Sequence, residues 1–582
     1  MAEELLGLYS PNRIYRNKTL LDKDDDKTLL DRFKLVHKLS VSGRLRCAIL
    51  STFTLNLGYL CEVMPNLFGP QTTIPTLVLY GNKQRSSVTK EMRSLQKGEN
   101  PNLRLVEIMP FHNFKCAKGV HHSKYMLLFL RDPDEILFLV TTANLCKPWP
   151  IDFSWFQTFP KKKEFDTRTE FGTILDDFLQ QQDEAIQILS QRDPTEEFTP
   201  PLQRDAPSRW LGSIFGLTTV SLDALYDFSE SRVALITSVP IITNKDDQRY
   251  GHRRIAAALK SANKTSHRVV IQPTSIGDNI LDSYLRQLET SYQAEKVQIM
   301  WPSMRHVINA IKHLHHVDRI TTQQQNSSPI SVCKKKNASP LHCPCEFWAK
   351  LGFDVKSSIA QYTSLPNCDH LLPHCKFVFS TNQNGSTFDW LLLTSMCLSR
   401  GACGDLENGK YSLRNFEMGV LFLHNPPPVD SLPFKVIAPA YLQSDANDTL
   451  KGSFVPFVDI ENKSISIRQA FPGTFGTESF LPEAHEDLKL LDDSRRYKRP
   501  APLANSDNFT NEQEECIITK TAKRQRSITT PSALRYEPSL ILEKDHQQER
   551  RKTIDLTPNN SQDRDDDDIS SSLFCSLSST PV

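Results

Sequence analysis

The chain has 582 residues, a formal net charge of +1 and 13 cysteines. This length suffices for more than one domain. The near-neutral charge excludes binding of nucleic acid through bulk positive charge, so any such contact needs a local groove. The sequence has no run of about 18 apolar residues that would predict a membrane span, and scattered cysteines without a signal peptide favour an intracellular protein with reduced thiols.

The first half of the chain alternates predicted helices and strands. Residues 1–34 are polar and charged, and we expect a disordered N-terminal arm there. Helices are predicted at residues 42–64 and 173–189, and strands at 77–81 and 103–110. A proline-rich link at 199–207 ends this half, so the first domain is expected to span 35–210.

The second half repeats this alternation. Strands are predicted at residues 233–240, 268–277, 296–303 and 416–424, and helices at 250–262 and 279–289. The second domain is expected to span 211–484, with a polar insertion at about 313–345. The tail at 485–582 has too few apolar residues to offset its ordering entropy, so it is predicted to be disordered. The alternation predicts an α/β fold of α-β-α sandwiches.

A short motif stands out in the stretch GVHHSKYMLLFL, residues 119–130. Side chains at i and i+2 of an extended segment share one face, so His122 and Lys124 project together. The motif is followed by an apolar strand, the turn RDPDE and a second strand that ends in TTANL. One His-x-Lys pair is common by chance, and by itself it predicts little.

The same unit occurs a second time. In LLPHCKFVFS, residues 371–380, His374 and Lys376 repeat the spacing, again before an apolar strand, a polar turn and a second strand. The second strands end in matching hydroxyl pairs, Thr141–Thr142 and Thr394–Ser395. The repetition indicates an internal duplication, with two similar domains related by pseudo-twofold symmetry.

Two histidines and two lysines that meet across such an axis suit phosphoryl transfer. Two ammonium groups can stabilise the extra negative charge on the oxygens of a pentacoordinate phosphorus without a metal. One imidazole can attack phosphorus, and the other can protonate the leaving oxygen and then deprotonate water. The cysteines between residues 333 and 368 include one close pair, Cys343-Pro-Cys345, and lack the spacing usual for zinc. No metal and no cofactor are therefore predicted.

The double motif resembles that of the phospholipase D superfamily, where an aspartate usually follows five residues after each lysine. Here those positions are Phe129 and Thr381. Absence of both aspartates is typical of the 3′-type tyrosyl-DNA phosphodiesterases. The stretches GVHHSKYMLL, TTANL, LITSVP, YGHRRIAAAL, QPTSIG and FEMGVLFLH are also similar to that family, over roughly residues 40–470.

The resemblance implies a role for each matching residue. His122 is expected to be the nucleophile and His374 the general acid and then the general base. Lys124 and Lys376 are expected to bind phosphate oxygens. Asn144 is expected to donate a hydrogen bond to the phosphate or to orient a lysine.

Three further positions follow from the same resemblance. Thr274 and Ser275 lie where the family contacts the DNA backbone. Glu417 lies near a family carboxylate that is expected to hold His374 in place. Polar residues at strand ends are an equally ordinary explanation for all three.

Two positions depart from the family pattern. The second motif ends in Cys397 where the family has an asparagine, and a thiol cannot present an amide donor. A family glutamine that follows the first asparagine has no plain match, with Asp152 and Gln157 as candidates. Loss of one donor at a transition state can cost about 10²–10³ in rate, but the intact His-x-Lys pairs favour an active enzyme.

The implied function is a DNA-repair phosphodiesterase that cuts the bond between a DNA 3′ phosphate and the tyrosine of a stalled topoisomerase, through a covalent phosphohistidine. Its partners would be single-stranded or nicked DNA with 3′ adducts and a topoisomerase-derived peptide, with no membrane partner, and it would act as a monomer. Basic clusters at 495–500 and 523–526 favour a nuclear location. The alternatives are another nuclease or a lipid phosphodiesterase of the superfamily, or a catalytically weakened DNA-binding homologue.

Overall fold

Two seven-stranded sheets organise the computed structural model. The structure describes residues 10–435, except for 19–28, 71, 82–101, 109–110, 113–114, 117–118, 148–150, 164–167, 191–204, 304–305, 308–309, 311–340, 342, 344–346, 348–349, 366–367 and 369–370. The chain divides into two units, 1–502 and 503–582, and all described residues lie in the first. The predicted tail and nearly all of the predicted polar insertion therefore lie outside the described residues.

The first sheet has the strand order β1-β9-β8-β7-β2-β3-β4. Its strands are β1 (Tyr15–Arg16), β2 (Leu45–Thr52), β3 (Thr76–Tyr80), β4 (Leu103–Glu107), β7 (Tyr125–Leu130), β8 (Glu135–Thr141) and β9 (Phe153–Pro160). Strands β2, β3 and β4 are parallel, and β7, β8 and β9 form an antiparallel meander. Two short strands, β5 (Phe111–His112) and β6 (Lys115–Cys116), form a separate pair.

The second sheet has the strand order β10-β19-β16-β15-β12-β13-β14. Its strands are β10 (Ala234–Ser238), β12 (Ser266–Gln272), β13 (Ala294–Trp301), β14 (Ile359–Gln361), β15 (Phe377–Thr381), β16 (Phe388–Thr394) and β19 (Glu417–Phe422). Again three strands are parallel, and the meander β15-β16-β19 matches β7-β8-β9. A small third sheet contains β11 (Ile241–Asn244), β17 (Asp405–Glu407) and β18 (Lys410–Leu413). The α/β prediction with two similar halves is confirmed.

Helices cover the outer faces of the sheets and fill the space between them. Their bounds are Arg32–Val41, Leu57–Val63, Pro65–Phe68, Glu170–Ser190, Pro207–Phe215, Leu222–Leu225, Gly251–Ser261, Asp282–Ser291, Phe353–Ser357 and Arg400–Cys403, with a 3₁₀ turn at Val429–Ser431. The predicted helices at 173–189, 250–262 and 279–289 are confirmed within a few residues.

The described residues form three hydrophobic cores, because alternate side chains of each central strand point to opposite faces of its sheet. On β7, Leu127 and Phe129 pack into a core shared by the two halves, whereas Met126 and Leu128 pack into the outer core of the first half. The second half has its own outer core. In the shared core the rings of Phe153 and Phe377, one from each half, lie 5.3 Å apart. Because both faces of the central strands are buried, their sequences are continuous apolar runs.

That burial explains one wrong prediction. The segment 42–64, predicted as one helix, forms strand β2 and then the helix Leu57–Val63. Strand β2 lies between β3 and β7 and is buried on both faces, and periodicity cannot distinguish such a strand from a buried helix. The helix begins where Asn56 Oδ1 accepts a hydrogen bond from the backbone N–H of Tyr59, at 3.1 Å.

The prediction of a disordered arm over 1–34 is also wrong for its described part. Strand β1 pairs with β9, and Asn17 is 1% exposed. Its side chain donates to Thr141 Oγ1 at 3.2 Å and accepts from Ser154 Oγ at 2.7 Å. These partners lie more than 120 residues away, so composition within the arm could not reveal them.

Candidate active site

Both His-x-Lys segments are held by backbone bonds to the opposite half. His122 N–H donates to the carbonyl of Phe416 at 2.9 Å, next to the start of β19. His374 N–H donates to the carbonyl of Ile151 at 2.9 Å, just before β9. The two motifs are therefore brought together by reciprocal pairing, as the internal duplication predicts.

The two lysines are held in the same way. Lys124 Nζ donates to the carbonyl of His122 at 2.7 Å, and Lys376 Nζ donates to the carbonyl of His374 at 2.6 Å. Their exposed fractions are 0% and 1%. Each ammonium keeps N–H groups beyond the one used here, which suits it to bind a phosphate oxygen.

Glu417 contacts a different histidine from the one expected. His122 Nδ1 lies 2.9 Å from Glu417 Oε2, so the expectation that Glu417 holds His374 is wrong. Glu417 Oε2 also accepts from Ser395 Oγ at 2.6 Å, and Oε1 accepts from Asn415 Nδ2 at 3.0 Å. The backbone pairing of His122 with the strand that begins at Glu417 brings the two side chains together. The carboxylate holds the ring through Nδ1, and none of the described residues forms a hydrogen bond with Nε2.

Asp152 is the partner of His374. His374 Nδ1 lies 2.8 Å from Asp152 Oδ1, which also accepts from Thr142 Oγ1 at 2.7 Å. Thr142 and Ser395, the matching hydroxyls of the repeat, thus hold matching carboxylates. Sequence reasoning named Asp152 only as a candidate for a missing glutamine. The signal that could have found its role is the repeat itself, since Thr142 and Ser395 occupy equivalent places.

Asn144 and Cys397 also occupy equivalent places. Asn144 Oδ1 accepts from the backbone N–H of Thr54 at 3.3 Å, and Arg32 Nη2 donates to the Asn144 carbonyl at 2.7 Å. Cys397 Sγ lies 3.4 Å from Thr274 Oγ1. These contacts hold the segments that follow strands β8 and β16.

The two expected DNA-contact residues follow strand β12. Thr274 is 3% exposed and faces Cys397. Ser275 is half-buried, and its carbonyl accepts from the backbone N–H of Leu398 at 3.2 Å. Of two tryptophans that follow Asn144, Trp155 is fully buried, with Nε1 bonded to the Pro11 carbonyl at 2.8 Å, and Trp149 lies outside the described residues.

Burial controls the protonation of the site. It lowers the pKa of His122 to about 4, although Glu417 opposes the shift. Burial, together with the nearby Lys376 ammonium, lowers the pKa of Lys124 to about 7. Burial also lowers the pKa of His374, against the opposing effect of Asp152. The His122 imidazole is therefore neutral at pH 7.

The carboxylates are ionised. Burial raises the pKa of Glu417, but His122, Lys124 and Ser395 outweigh it and hold this pKa below its usual value. Burial raises the pKa of Asp152 as well, but His374, Lys376 and Thr142 outweigh it in the same direction. Two negative groups and two lysines thus surround two imidazoles, an arrangement that can bind and transfer a phosphoryl group.

Comparison with known proteins gives the family. The sequence profile described as tyrosyl-DNA phosphodiesterase matches residues 24–198 and 211–458, which together form more than half of the chain. The chain belongs to the tyrosyl-DNA phosphodiesterase family. Both His-x-Lys motifs lie inside the matched segments, and the predicted family is confirmed.

The individual relatives share little sequence identity with this chain. Tyrosyl-DNA phosphodiesterase 1 of Arabidopsis thaliana is 24% identical over 414 residues, and the match spans 66% of this chain and 58% of the relative. Crystal structures of yeast tyrosyl-DNA phosphodiesterase and of a variant of it are each 15% identical, with a TM-score of 0.47, and each covers 77% of this chain. The aligned regions span 99% of the yeast protein's chain and 98% of the variant's chain.

Two further observations concern other classes of site. Among the described residues, no group of three or more His, Cys, Asp or Glu side chains could hold a metal ion. Within the same residues, no helix is both long and apolar enough to cross a membrane.

Proposed function

We propose that this protein hydrolyses the phosphodiester between a DNA 3′ phosphate and a tyrosine left by a stalled topoisomerase, through a covalent phosphohistidine. The observation that carries the proposal is the pair of imidazoles, each held by a carboxylate of the opposite half, with a lysine beside each. Family membership supports the substrate class, since the relatives named above are tyrosyl-DNA phosphodiesterases.

In the first step His122 Nε2 attacks phosphorus. The Nε2–P bond forms, and the bond from phosphorus to the tyrosine oxygen breaks with its electron pair. His374, in its doubly protonated form, gives its Nε2 proton to that oxygen, so free tyrosine leaves. Glu417 stabilises the positive charge that develops on the His122 ring, because Nδ1–H already donates to it. Lys124 and Lys376 stabilise the charge on the phosphorus oxygens.

In the second step water replaces His122. His374, which no longer carries a proton on Nε2, takes a proton from water. The water oxygen attacks phosphorus as the bond between phosphorus and His122 Nε2 breaks. The electron pair returns to His122, and DNA with a 3′ phosphate is released. No proton or electron is left over, so the cycle needs no redox partner. The proposal assigns phosphate binding to Asn144 as well, and DNA-backbone contacts to Thr274 and Ser275.

The proposal extends to partners and location. The substrate is single-stranded or nicked DNA with a 3′ adduct, the peptide side is topoisomerase-derived, and the protein acts as a monomer in the nucleus. The halves 35–210 and 211–484 act as two domains around one site, because each supplies half of the contacts to the histidines. Neither a metal nor a cofactor is assigned to the reaction.

The covalent intermediate provides the test. His374→Ala retains the nucleophile but lacks the base for the second step. Rapid denaturation of this variant in SDS at alkaline pH, where a P–N bond persists, after reaction with a labelled 3′-phosphotyrosyl oligonucleotide is expected to give a protein–DNA adduct, whereas His122→Ala gives none. An adduct that survives in His122→Ala would contradict the assignment of the nucleophile. Cleavage of phosphatidylcholine, with none of DNA, would favour the lipid alternative.

A further inference from the structure

Asp152 is a buried carboxylate from the first half that reaches the histidine of the second half. It is 4% exposed. Among the described residues His374 is its one ion-pair partner, at 2.8 Å, and Thr142 Oγ1 donates to the same oxygen at 2.7 Å. Asp152 directly precedes β9, where the Phe153 N–H donates to Thr142 Oγ1 at 3.0 Å. This backbone contact holds the Asp152 carboxylate within hydrogen-bond distance of Thr142 and His374.

The hydrogen bond alone does not require a charge at this position. An amide oxygen would accept from the same two donors, and the family pattern noted above has a glutamine in this region. Burial of a carboxylate costs more free energy than burial of an amide. The second candidate for that glutamine, Gln157, is occupied elsewhere: it donates to the Glu230 carbonyl at 2.8 Å and accepts from the Arg232 N–H at 3.2 Å. The charge of Asp152 is therefore expected to act on His374.

We propose, on the basis of the function proposed above, that Asp152 is a positioning residue that aims His374 at the leaving oxygen and favours the form of the ring that carries a proton on Nε2. In this role the carboxylate sets how strongly the enzyme can assist the departure of a poor leaving group. Asp152 touches neither substrate nor reacting atoms, and it acts only through the imidazole.

The charges around His374 explain why a carboxylate is needed. Lys376, two residues away, and Lys124, from the other half, both oppose protonation of the ring, and so does burial. Asp152 is the group that favours the protonated ring. Two ammonium groups and burial therefore reduce the protonated fraction of the ring, and the Asp152 carboxylate limits that reduction. A neutral amide would still accept the hydrogen bond from the ring, but it would not counteract the effect of the two lysines on protonation of the ring.

A direct readout is the titration of His374 itself. Protein labelled at the ring carbon of histidine is compared with Asp152→Asn, and the His374 resonance is assigned from His374→Asn. Asp152→Asn retains an oxygen acceptor and removes the charge, so the His374 titration is expected to move to lower pH. Asp152→Glu is expected to restore most of the shift. An unchanged titration in Asp152→Asn would overturn the proposal. This readout does not depend on cleavage, so it stands apart from the proposed function.

A second readout is the dependence on the leaving group. Oligonucleotides with 3′-phosphotyrosine and 3′-phospho-4-nitrophenol differ in their need for a proton, because 4-nitrophenol is far more acidic. Asp152→Asn is expected to lose about 10²-fold in the rate of tyrosine release and much less for nitrophenol release. Its alkaline limb for tyrosine release is expected to move to lower pH. Equal losses for both substrates would show a purely structural role and contradict the proposal.

Gln157→Met, on strand β9 directly after Asp152, is the matched control. It removes the contacts to Glu230 and Arg232 and leaves His374 untouched, so it is expected to lower stability without changing the ratio of the two rates. A ratio that changes as much in Gln157→Met as in Asp152→Asn would also count against the proposal. If the wild type cleaves neither DNA substrate, the proposed function fails, while the titration still decides the role of Asp152.

Discussion

His122 and Glu417 belong to different halves of the chain, yet His122 Nδ1 lies 2.9 Å from Glu417 Oε2. The same relationship holds in reverse for His374 and Asp152, at 2.8 Å. Each imidazole is thus oriented by a group that its own half does not contain. The two halves form one candidate site, and changes at their contact are expected to affect chemistry as well as stability.

Glu417→Gln is expected to slow formation of the phosphohistidine. The variant removes the negative charge that stabilises the positive ring of the intermediate, and a loss of about 10²-fold at pH 7 is expected. Because Glu417 raises the pKa of His122, which lies at about 4 in the wild type, the acid limb of the variant lies at lower pH, not higher. Single-turnover rates from pH 3 to 8 measure both effects. Glu407→Gln, an exposed carboxylate on β17, is the control and should leave the rate unchanged.

Substrate affinity is expected to fall as pH rises through about 7. Lys124 has a lowered pKa of about 7 because of burial and the Lys376 ammonium, so it is charged below that pH and neutral above it. The dissociation constant of a 3′-phosphotyrosyl oligonucleotide, measured from pH 6 to 9 on a His122→Ala background, should rise across this range. The phosphodiester itself does not titrate there.

Lys124→Arg separates charge from geometry in the same assay. Its guanidinium stays charged at every pH used, so the pH dependence of the dissociation constant should flatten even if binding is weaker. Lys124→Met should bind weakly at all pH values. A pH dependence in Lys124→Arg equal to that of the parent would assign the titration to another group.

Cys397→Asn is expected to raise kcat by about tenfold or more, since a side-chain amide adds a donor that a thiol lacks. The equivalent Asn144 uses its oxygen to accept from Thr54 N–H, which leaves its NH₂ group available for phosphate. Cys397→Ser is the control, because a hydroxyl preserves the contact to Thr274 without an amide. No gain in Cys397→Asn would mean that another group already supplies this hydrogen bond.

Gly119→Ala is expected to reduce stability and kcat together. A Cβ at this position would lie 1.9 Å from the carbonyl oxygen of Arg414 in the other half, so the segment that carries His122 must move. Such overpacking typically costs about 1–3 kcal/mol in the free energy of unfolding. Thermal and urea unfolding, together with single-turnover rates, measure the two effects.

Gly58→Ala is the control for that substitution. It lies in the helix Leu57–Val63, and its added Cβ would make one ordinary contact, at 3.8 Å to Asn56 Oδ1. Because alanine is the better helix former, stability is expected to rise by about 0.5–1 kcal/mol. Equal destabilisation in both variants would argue against a tight contact at Gly119.

The internal repeat in the sequence was enough to predict that the two His-x-Lys motifs form one site. His-x-Lys spacing within matching strand–turn–strand units predicted that His122, Lys124, His374 and Lys376 belong together, because an internal duplication implies equivalent places. It could not predict which carboxylate holds which histidine. That choice depends on backbone pairing between the halves, as at Ile151 and Phe416, and no local pattern encodes contacts over more than 200 residues.

Other errors have the same origin. Strand β2 has a continuous apolar sequence because β3 and β7 flank it, and this neighbourhood is visible only in the folded sheet. The polar segment at residues 10–18 is ordered through Asn17, whose partners come from β8 and β9. Tertiary contacts outweigh composition in both cases.

The central claim is that the paired histidines cut a DNA 3′-phosphotyrosyl bond without a metal. The most direct measurement incubates the purified full-length protein, in EDTA, with a single-stranded oligonucleotide that bears a 3′-phosphotyrosine. The account predicts release of tyrosine and a 3′-phosphate end, abolished in His122→Ala. Failure of the wild type to cleave while it still binds the DNA, or cleavage that persists in His122→Ala, would contradict it.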